Sequence, residues 1–391
     1  MKYDNWQIIL ASSPCQGKSQ NLSKNHKIFK MKNHSLYLVL VFFTCLFIGV
    51  LMSCSPTPNE SESSVMEEQG STQPLKALII DGENNHGIWP KTTMMMKDYL
   101  EETGLFEVDI ERTANVWLGP HYDKSIGLDT IITLLEMYPL AGNNKSTVVA
   151  DPVADPNFNP TFSNYDLIIS NMGWKASKWS DTTQKNFEEY MANGGGLVVI
   201  HAANNSWGNW TAWNDMIGLG GWGGRNTQSG PYVYYDDNDE LQKDPSEGDC
   251  GSHGPQFEFV LETRASNHPI MKGLPNAWLH TKDELYDRLR GPGKNMTVLA
   301  TAYSDKVKNS PPWNKKMPGT GRHEPMLMAL EYGEGRIFHS ALGHMDYSME
   351  CVGFITTLQR GAEWAATGTV TQPIPNDFPN ADAVSIRSWK K

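Results

Sequence analysis

The chain has 391 residues, a formal net charge of −11, 39% hydrophobic residues and 20% charged residues. This is the composition of a globular protein, and it excludes a wholly disordered chain, a collagen-like repeat and a polytopic membrane protein. The acidic balance also argues against a general nucleic-acid binder, which needs a basic surface to neutralise phosphates. We therefore expect no nucleic-acid partner.

Residues 1–53 are predicted to be a leader with a lipoprotein signal peptide. Translation can start at Met1 or at Met31, and Lys32 precedes an apolar run over residues 36–52. A basic residue, an apolar run and a small residue before a Cys are typical of a secretory signal, and the sequence LMSC at 51–54 resembles a bacterial lipobox, where the chain is cleaved before Cys54 and this cysteine is lipidated. A single membrane anchor is the alternative, although the run is shorter than the roughly 20 residues that span a bilayer. We expect a lipoprotein of the bacterial cell envelope, on the periplasmic face or the cell surface, held to the membrane by its lipid anchor only.

Residues 54–74 are rich in Ser, Pro and Glu. Such a segment cannot bury a core, and it is predicted to be a flexible tether. One folded domain is expected over residues 75–369. An extended C-terminal tail, rich in Pro and Asn at its start, is expected over residues 370–391.

The first half of the domain alternates apolar runs with segments of helical periodicity, a pattern typical of parallel βαβ units with right-handed crossovers. The expected strands are residues 75–81, 106–112, 166–170 and 197–201. One expected helix covers residues 91–103, and a second follows a Ser180 cap and ends at the glycines 194–196.

The second half departs from this rhythm. Residues 218–255 contain few apolar runs and are expected to form long loops. Further strands are predicted at residues 257–262, 297–303, 326–332 and 336–341, with a closing helix at residues 354–366. The glycines at 333 and 335 favour a hairpin between the last two strands.

Polar residues that directly follow predicted strands are the first candidates for a functional site, because open parallel sheets bind ligands beyond the carboxyl ends of their strands. The candidates are Asp81, Asn84, Asn85, His86, Asn171, Trp174, His201, Asn204, His339 and His344. Each has a structural alternative, since histidines at strand ends bond neighbouring carbonyls and Asn is a common turn former. Their joint occurrence favours one shared crevice.

Five stretches of the chain carry a resemblance to a known family. They are IIDGENNH (79–86), GGGLVVIHAANNSW (194–207), NHPIMKGLP (267–275), DELY (283–286) and PMLMALEYGEGRIFHSALGH (325–344). Through them, residues 76–368 resemble the ThuA-like (trehalose utilisation) family of the class I glutamine amidotransferase-like fold superfamily. The resemblance implies a flavodoxin-like α/β sandwich, with a mostly parallel sheet, helices on both faces and long loop insertions.

The resemblance does not extend to the amidotransferase reaction. In that superfamily a nucleophilic Cys occupies a strained elbow after a strand, and the corresponding residue here is His201. Neither Cys250 nor Cys351 lies at a predicted strand-to-helix elbow, so thiol attack on an amide is disfavoured. A shared fold with different chemistry is expected when function resides in the site and not in the fold.

The family is associated with the use of trehalose and related disaccharides, in company with sugar dehydrogenases that make 3-keto-sugars. The resemblance implies an enzyme that acts on a disaccharide, a glucoside or its 3-keto derivative, by isomerisation, hydration or cleavage. The implied partners are a small-molecule carbohydrate and, functionally, a sugar dehydrogenase. The alternative is a non-catalytic carbohydrate-binding lipoprotein that uses the same crevice.

Proton abstraction beside a keto group needs a base with a pKa near neutrality, and His and Glu suit this role. The predicted catalytic residues are His201, Glu284 and His344. The predicted substrate-binding residues are Asp81, Asn84, Asn85, His86, Trp174, Asn204, Trp207 and Tyr286. Buried core positions are the alternative for the two tryptophans.

A divalent metal is a possible cofactor, with zinc preferred because of the number of imidazoles. Its predicted ligands are His201, His339 and His344, although their spacing is not diagnostic. Loop residues such as His253 or His323-Glu324 are alternatives that would complete the site. His268 and His280 are expected to be structural.

Overall fold

The structure is a computed structural model, and it describes residues 73–121, 127–140 and 146–390. The predicted leader, Cys54 and nearly all of the predicted tether lie outside the described residues. Within the described ranges, no helix combines the length and apolarity that crossing a bilayer requires.

Twelve strands and six helices are found in the described ranges. The strands are β1 Leu75–Glu83, β2 Phe106–Trp117, β3 Thr147–Val148, β4 Leu167–Ser170, β5 Gly196–Ile200, β6 Tyr232–Tyr235, β7 Leu241–Asp244, β8 Phe257–Thr263, β9 Ala277–Asp283, β10 Met296–Tyr303, β11 His323–Tyr332 and β12 Gly335–Ser340. The helices are α1 Trp89–Glu101, α2 Leu128–Met137, α3 Asp181–Ala192, α4 Thr211–Ile217, α5 Asp346–Met349 and α6 Val352–Thr367.

One half of the sheet is parallel, with the strand order β3-β2-β1-β4-β5-β12. Its central strands are continuous apolar runs, such as LIIS in β4 and GLVVI in β5, and they are buried throughout. A strand that is covered on both faces has no polar side to alternate with, which explains the unbroken runs.

The other half is antiparallel and continues from β12 in the order β11-β10-β8-β9. β11 and β12 pair as a hairpin, which confirms that prediction. Its turn contains Gly333 at φ 58°, a conformation that favours glycine. Residues 218–255 were expected to be loops throughout, but they contain the β6–β7 hairpin, which joins the edge of β11 through Tyr235 and His323.

Helices cover both faces of the parallel half, because successive residues of each strand point to opposite sides. Ala77 and Ile79 of β1 pack in the core that includes α1 and α6. Leu78 and Ile80 pack in a second core with the aromatic side chains of α3 and α4. The predicted α/β sandwich with helices on both faces is therefore confirmed.

The residues after α6 form an irregular segment that packs against the domain. The backbone N–H of Leu279 donates to the carbonyl of Asn380 at 2.7 Å, and Val352 donates to Ser385 at 2.9 Å. The indole N–H of Trp389 donates to Asp98 at 2.9 Å. These bonds attach the segment to β9, α6 and α1.

Candidate metal centre

Four buried side chains converge at one point of the sheet edge. They are His86, His201, Glu284 and His344, and one ligand atom of each lies within 4.8 Å of the others. Their exposed fractions are between 2% and 7%. Three imidazoles and one carboxylate in such a cluster form a set of donors for a divalent cation.

Three of the four residues follow strands of the parallel half. His86 lies between β1 and α1, His201 directly follows β5, and His344 lies between β12 and α5. β4 and β5 separate β1 from β12 in the sheet, so the carboxyl ends of these strands share one edge. The position agrees with the rule that open α/β sheets bind ligands at this edge.

Glu284 reaches the cluster from β9, the far strand of the antiparallel half, and Asp283 holds it there. One carboxylate oxygen of Asp283 accepts the backbone N–H groups of His344 at 3.0 Å and Glu284 at 2.9 Å. The other accepts the N–H of Gly343 at 2.8 Å and contacts Nε2 of His280 at 2.9 Å. Burial would raise the pKa of Asp283, but the hydrogen bond and charge of His280 lower it below its usual value.

His201 is held in a strained turn. Its φ of 43° lies in the left-handed region, which non-glycine residues rarely adopt. Its Nδ1 lies 2.7 Å from the carbonyl of Ala341, so this nitrogen carries the proton and donates. In the neutral ring Nε2 then keeps its lone pair. A histidine that ligates a metal is commonly oriented by a bond of this kind from its other nitrogen.

The free ring nitrogens of two histidines face the same carboxylate oxygen. Nε2 of His201 lies 3.5 Å and Nδ1 of His344 lies 3.0 Å from Oε2 of Glu284. Both nitrogens are buried, and neither contact has the geometry of a hydrogen bond. Buried ring nitrogens gathered around a carboxylate without hydrogen-bond geometry are what a cation between them would satisfy, so these residues fit a divalent metal.

The electrostatics of the cluster follow from burial and from the close packing of its charges. Burial lowers the pKa of His86 well below its usual value, and repulsion from His344 and His201 adds to this effect. Burial would raise the pKa of Glu284, but the charges of His344 and His253 hold it well below its usual value. Burial would lower the pKa of His344, but attraction to the charge of Glu284 outweighs this effect and raises it. Glu284 is therefore ionised and His86 neutral, the forms in which both are metal ligands.

Two of the predicted substrate-binding residues, Asn84 and Asn85, form hydrogen bonds that position the backbone next to the cluster. Oδ1 of Asn84 accepts the backbone N–H of His86 at 2.9 Å, while its Nδ2 donates to the carbonyl of Asn171 at 3.1 Å. Oδ1 of Asn85 accepts the N–H of Trp174 at 2.8 Å. Both asparagines are 3% exposed, so they position neighbouring residues and do not line an open mouth.

The structure corrects three predictions. His339 is no ligand, since its Nδ1 lies 2.8 Å from the carbonyl of Ile217 and its Nε2 lies 3.0 Å from Nδ2 of Asn204. Asn204 is fully buried in this contact and does not reach the crevice. Asp81 is also fully buried and accepts two hydrogen bonds from Arg112 at 2.8 Å each. His339, Asn204 and Asp81 are therefore structural residues, because their side chains are buried and bonded to other parts of the fold.

The other predicted residues lie beside the cluster. The ring of Tyr286 is 4.2 Å from that of His201, centre to centre, and the side chain is buried. Trp174 and Trp207 line a neighbouring groove of about 740 Å³, together with Asn205. The indole N–H of Trp207 donates to the carbonyl of Ser177, and its ring is 9% exposed.

Sequence reasoning did not single out two histidines at the rim. Nδ1 of His253 lies 3.4 Å from Oε1 of Glu284. The ring of His121 lies 5.7 Å from that of His86. His253 was only one of several loop candidates, and His121 follows no predicted strand; nothing local in the sequence marks either as close to the cluster.

Comparison with known proteins gives consistent results. The family model described as ThuA, trehalose utilisation, matches residues 76–365. Among solved structures, a ThuA-like protein from Parabacteroides merdae is 41% identical, with a TM-score of 0.65, over 81% of this chain and 98% of that one. A ThuA-like protein from Bacteroides uniformis is 18% identical, with a TM-score of 0.44, over 76% of this chain and 94% of that one. No curated protein is similar enough to count as a match.

Proposed function

The chain belongs to the ThuA family of trehalose utilisation, within the class I glutamine amidotransferase-like superfamily, and from this premise we propose that it is a metal-assisted enzyme acting on a disaccharide, a glucoside or its 3-keto derivative. Membership of the family implies a role in carbohydrate metabolism. The observation that carries the finer proposal is the convergence of His86, His201, Glu284 and His344 at the sheet edge.

These four residues would hold the metal. A divalent cation bound there supplies Lewis-acid stabilisation of negative charge that develops on a substrate oxygen. His201, Glu284 and His344 were predicted as catalytic residues, and we assign them to the ligand set. The acid–base role then falls to a group beside the cluster.

His253 is that group. Its Nδ1 lies 2.8 Å from the carbonyl of Gly254, so in the neutral ring this nitrogen donates and Nε2 keeps a lone pair. The side chain is 21% exposed and lies against Glu284, at the border between the cluster and solvent. A base in this position is able to meet a substrate whose carbonyl oxygen is directed at the cluster.

The reaction begins at the C–H next to the keto group. Nε2 of His253 takes the proton, and the electron pair of the C–H bond moves into the carbonyl group. Loss of the glycosidic oxygen from the next carbon then breaks the glycosidic bond and leaves a C=C double bond, and the departing oxygen takes the proton back from His253. Alternatively, a proton from water adds to the opposite face of the same carbon and inverts it, which isomerises the sugar. Both outcomes need the same base and the same stabilised charge, and the chemistry is balanced without an oxidant.

The cellular setting is part of the proposal. The lipobox-like sequence before Cys54 supports a lipid-anchored protein of the bacterial cell envelope. A 3-keto substrate must come from an oxidation of the sugar, which supports functional pairing with a sugar dehydrogenase.

The second candidate function is non-catalytic carbohydrate binding. The groove of about 740 Å³ beside Trp174 and Trp207 favours it, because aromatic and amide side chains suit a neutral sugar. Under this alternative, sugars bind the protein without being converted.

Proton NMR of the full chain with trehalose, methyl glucosides and their 3-keto derivatives distinguishes the candidates. We expect conversion of a keto-sugar that stops on chelation and resumes with added Zn²⁺, in the wild type and in the exposed-residue control Glu331→Gln. Conversion that continues after chelation would refute the proposal that a bound metal assists the reaction. Line broadening of the sugar signals without any product would show binding without conversion, and it would favour the carbohydrate-binding function over the enzyme.

A further inference from the structure

Trp313 is unusual in its exposure. It is 65% exposed, whereas every other tryptophan in the described ranges is buried or half-buried. Leaving an indole in water forfeits much of the free energy that its burial would contribute. An exposed tryptophan beside a candidate site therefore calls for a functional explanation.

The ring of Trp313 lies at the border of the metal cluster. Its centre is 5.3 Å from that of His253. His253 in turn lies 3.4 Å from the carboxylate of Glu284, measured from Nδ1 to Oε1. One imidazole thus separates the indole from a ligand of the cluster.

The loop over residues 304–322 that carries Trp313 is tied to the residues around Glu284. Nδ2 of Asn309 donates to the carbonyl of Leu285 and to Asp287, both at 3.1 Å. Oδ1 of Asn309 accepts the N–H of Gly254, next to His253, at 2.8 Å. The hydroxyl of Ser304 donates to Asp287 at 2.7 Å. These buried bonds attach the loop to Gly254, next to His253, and to residues 285–287, next to Glu284.

We propose that Trp313 is a stacking platform for a pyranose ring of the substrate, adjacent to the sugar carbon that reacts at the cluster. The inference rests on the proposed function. A pyranose has a face of C–H groups that packs on an indole, while its hydroxyls remain in water or bond to polar neighbours. The indole of Trp313 is a flat apolar surface with the size of one sugar ring, and the polar residues Asn314, Lys315 and Lys316 follow it in the chain.

The test compares variants of the full chain with the keto-glycoside that the wild type converts. Trp313→Ala should raise KM roughly three- to tenfold, the equivalent of an aromatic stacking contact, and leave kcat within about twofold. Trp313→Phe should restore most of the affinity. Val307→Ala, a change at an 82% exposed position of the same loop, should leave KM unaltered.

Two results would overturn the proposal that Trp313 stacks on a pyranose ring of the substrate. An unchanged KM in Trp313→Ala would remove Trp313 from the substrate site. A raised KM in Trp174→Ala, with Trp313→Ala at the wild-type value, would place the sugar in the neighbouring groove instead. A wild type that neither converts nor binds any of the sugars would refute the proposed function itself, which separates the two failures.

Discussion

At the scale of single residues, the proposed ligands of the metal differ from the proposed base in their exposure to solvent. His86, His201, Glu284 and His344 are nearly fully buried, whereas His253 is partly exposed and has one ring nitrogen bonded to a backbone carbonyl. A base must exchange its proton with water between turnovers, and a buried ligand is poorly placed to do so. The difference in exposure therefore supports the two proposed roles.

Replacing His253 with Ala should lower kcat on the order of 10²- to 10⁴-fold, the usual contribution of a general base. Zn²⁺ affinity should remain near the wild-type value, because the four ligands are untouched. Turnover by NMR and metal titration by calorimetry measure the two effects. His323→Ala is the matched control, since His323 lies beside Glu262, outside the cluster. Equal turnover by His253→Ala and the wild type would remove His253 from the mechanism.

The sequence predicted where the site lies better than it predicted which residues form it. His201, Glu284 and His344 were named as catalytic residues, and the fold brings them together. His339 was wrongly placed among the ligands. It lies within β12, where alternation turns Ile337 and His339 toward the side of α4 and Phe338 toward α6. A residue inside a strand follows the pleat, and only residues beyond its end are free to meet those of other strands.

At the scale of elements, β11 and the segment that follows β9 each carry a buried acidic residue, Glu324 and Asp287, whose charges repel each other. Glu324 is 3% exposed, and its carboxylate accepts a hydrogen bond from Thr320 at 2.7 Å. Burial, together with the nearby charge of Asp287, raises the pKa of Glu324 to about 8. Glu324 is therefore protonated in the folded protein at a pH at which it is ionised in the unfolded chain.

This pKa shift predicts how stability depends on pH. A group whose pKa is raised by folding stabilises the protein fully below its unfolded pKa of 4.5, and the stabilisation is lost as pH rises through about 8. Urea unfolding should therefore give a smaller loss of stability between pH 5.5 and pH 8.5 in Glu324→Gln than in the wild type. The exposed control Glu334→Gln should match the wild type. The same pH dependence in all three proteins would contradict the shift.

The elements that the sequence predicted best are the ones with simple apolar patterns. β1, β4 and β5 and the β11–β12 hairpin are found where unbroken apolar runs and turn glycines predicted them. β9 was missed because it carries buried polar side chains, among them His280 and Asp283. Their burial is made possible by hydrogen bonds to residues distant in sequence, and no local hydropathy pattern shows these bonds.

At the scale of the whole molecule, the site depends on bringing two halves of one sheet together. The parallel half supplies three histidines that follow strand ends, and the sequence marks all three because each lies at or just beyond the end of a predicted strand. Glu284 belongs to the antiparallel half, several strands away. The bonds of Asp283 to Gly343 and His344 help to hold it at the cluster, and such long-range contacts could not be derived from spacing.

We propose that these two halves together build one metal site. The most direct test is calorimetric titration of the chelator-treated full chain with Zn²⁺, for the wild type, Glu284→Gln, His344→Ala and the control His323→Ala. We predict one tightly bound ion per chain in the wild type and the control, and affinity at least about tenfold weaker in the two cluster variants. Absence of binding in the wild type, or equal binding in all four proteins, would contradict the claim.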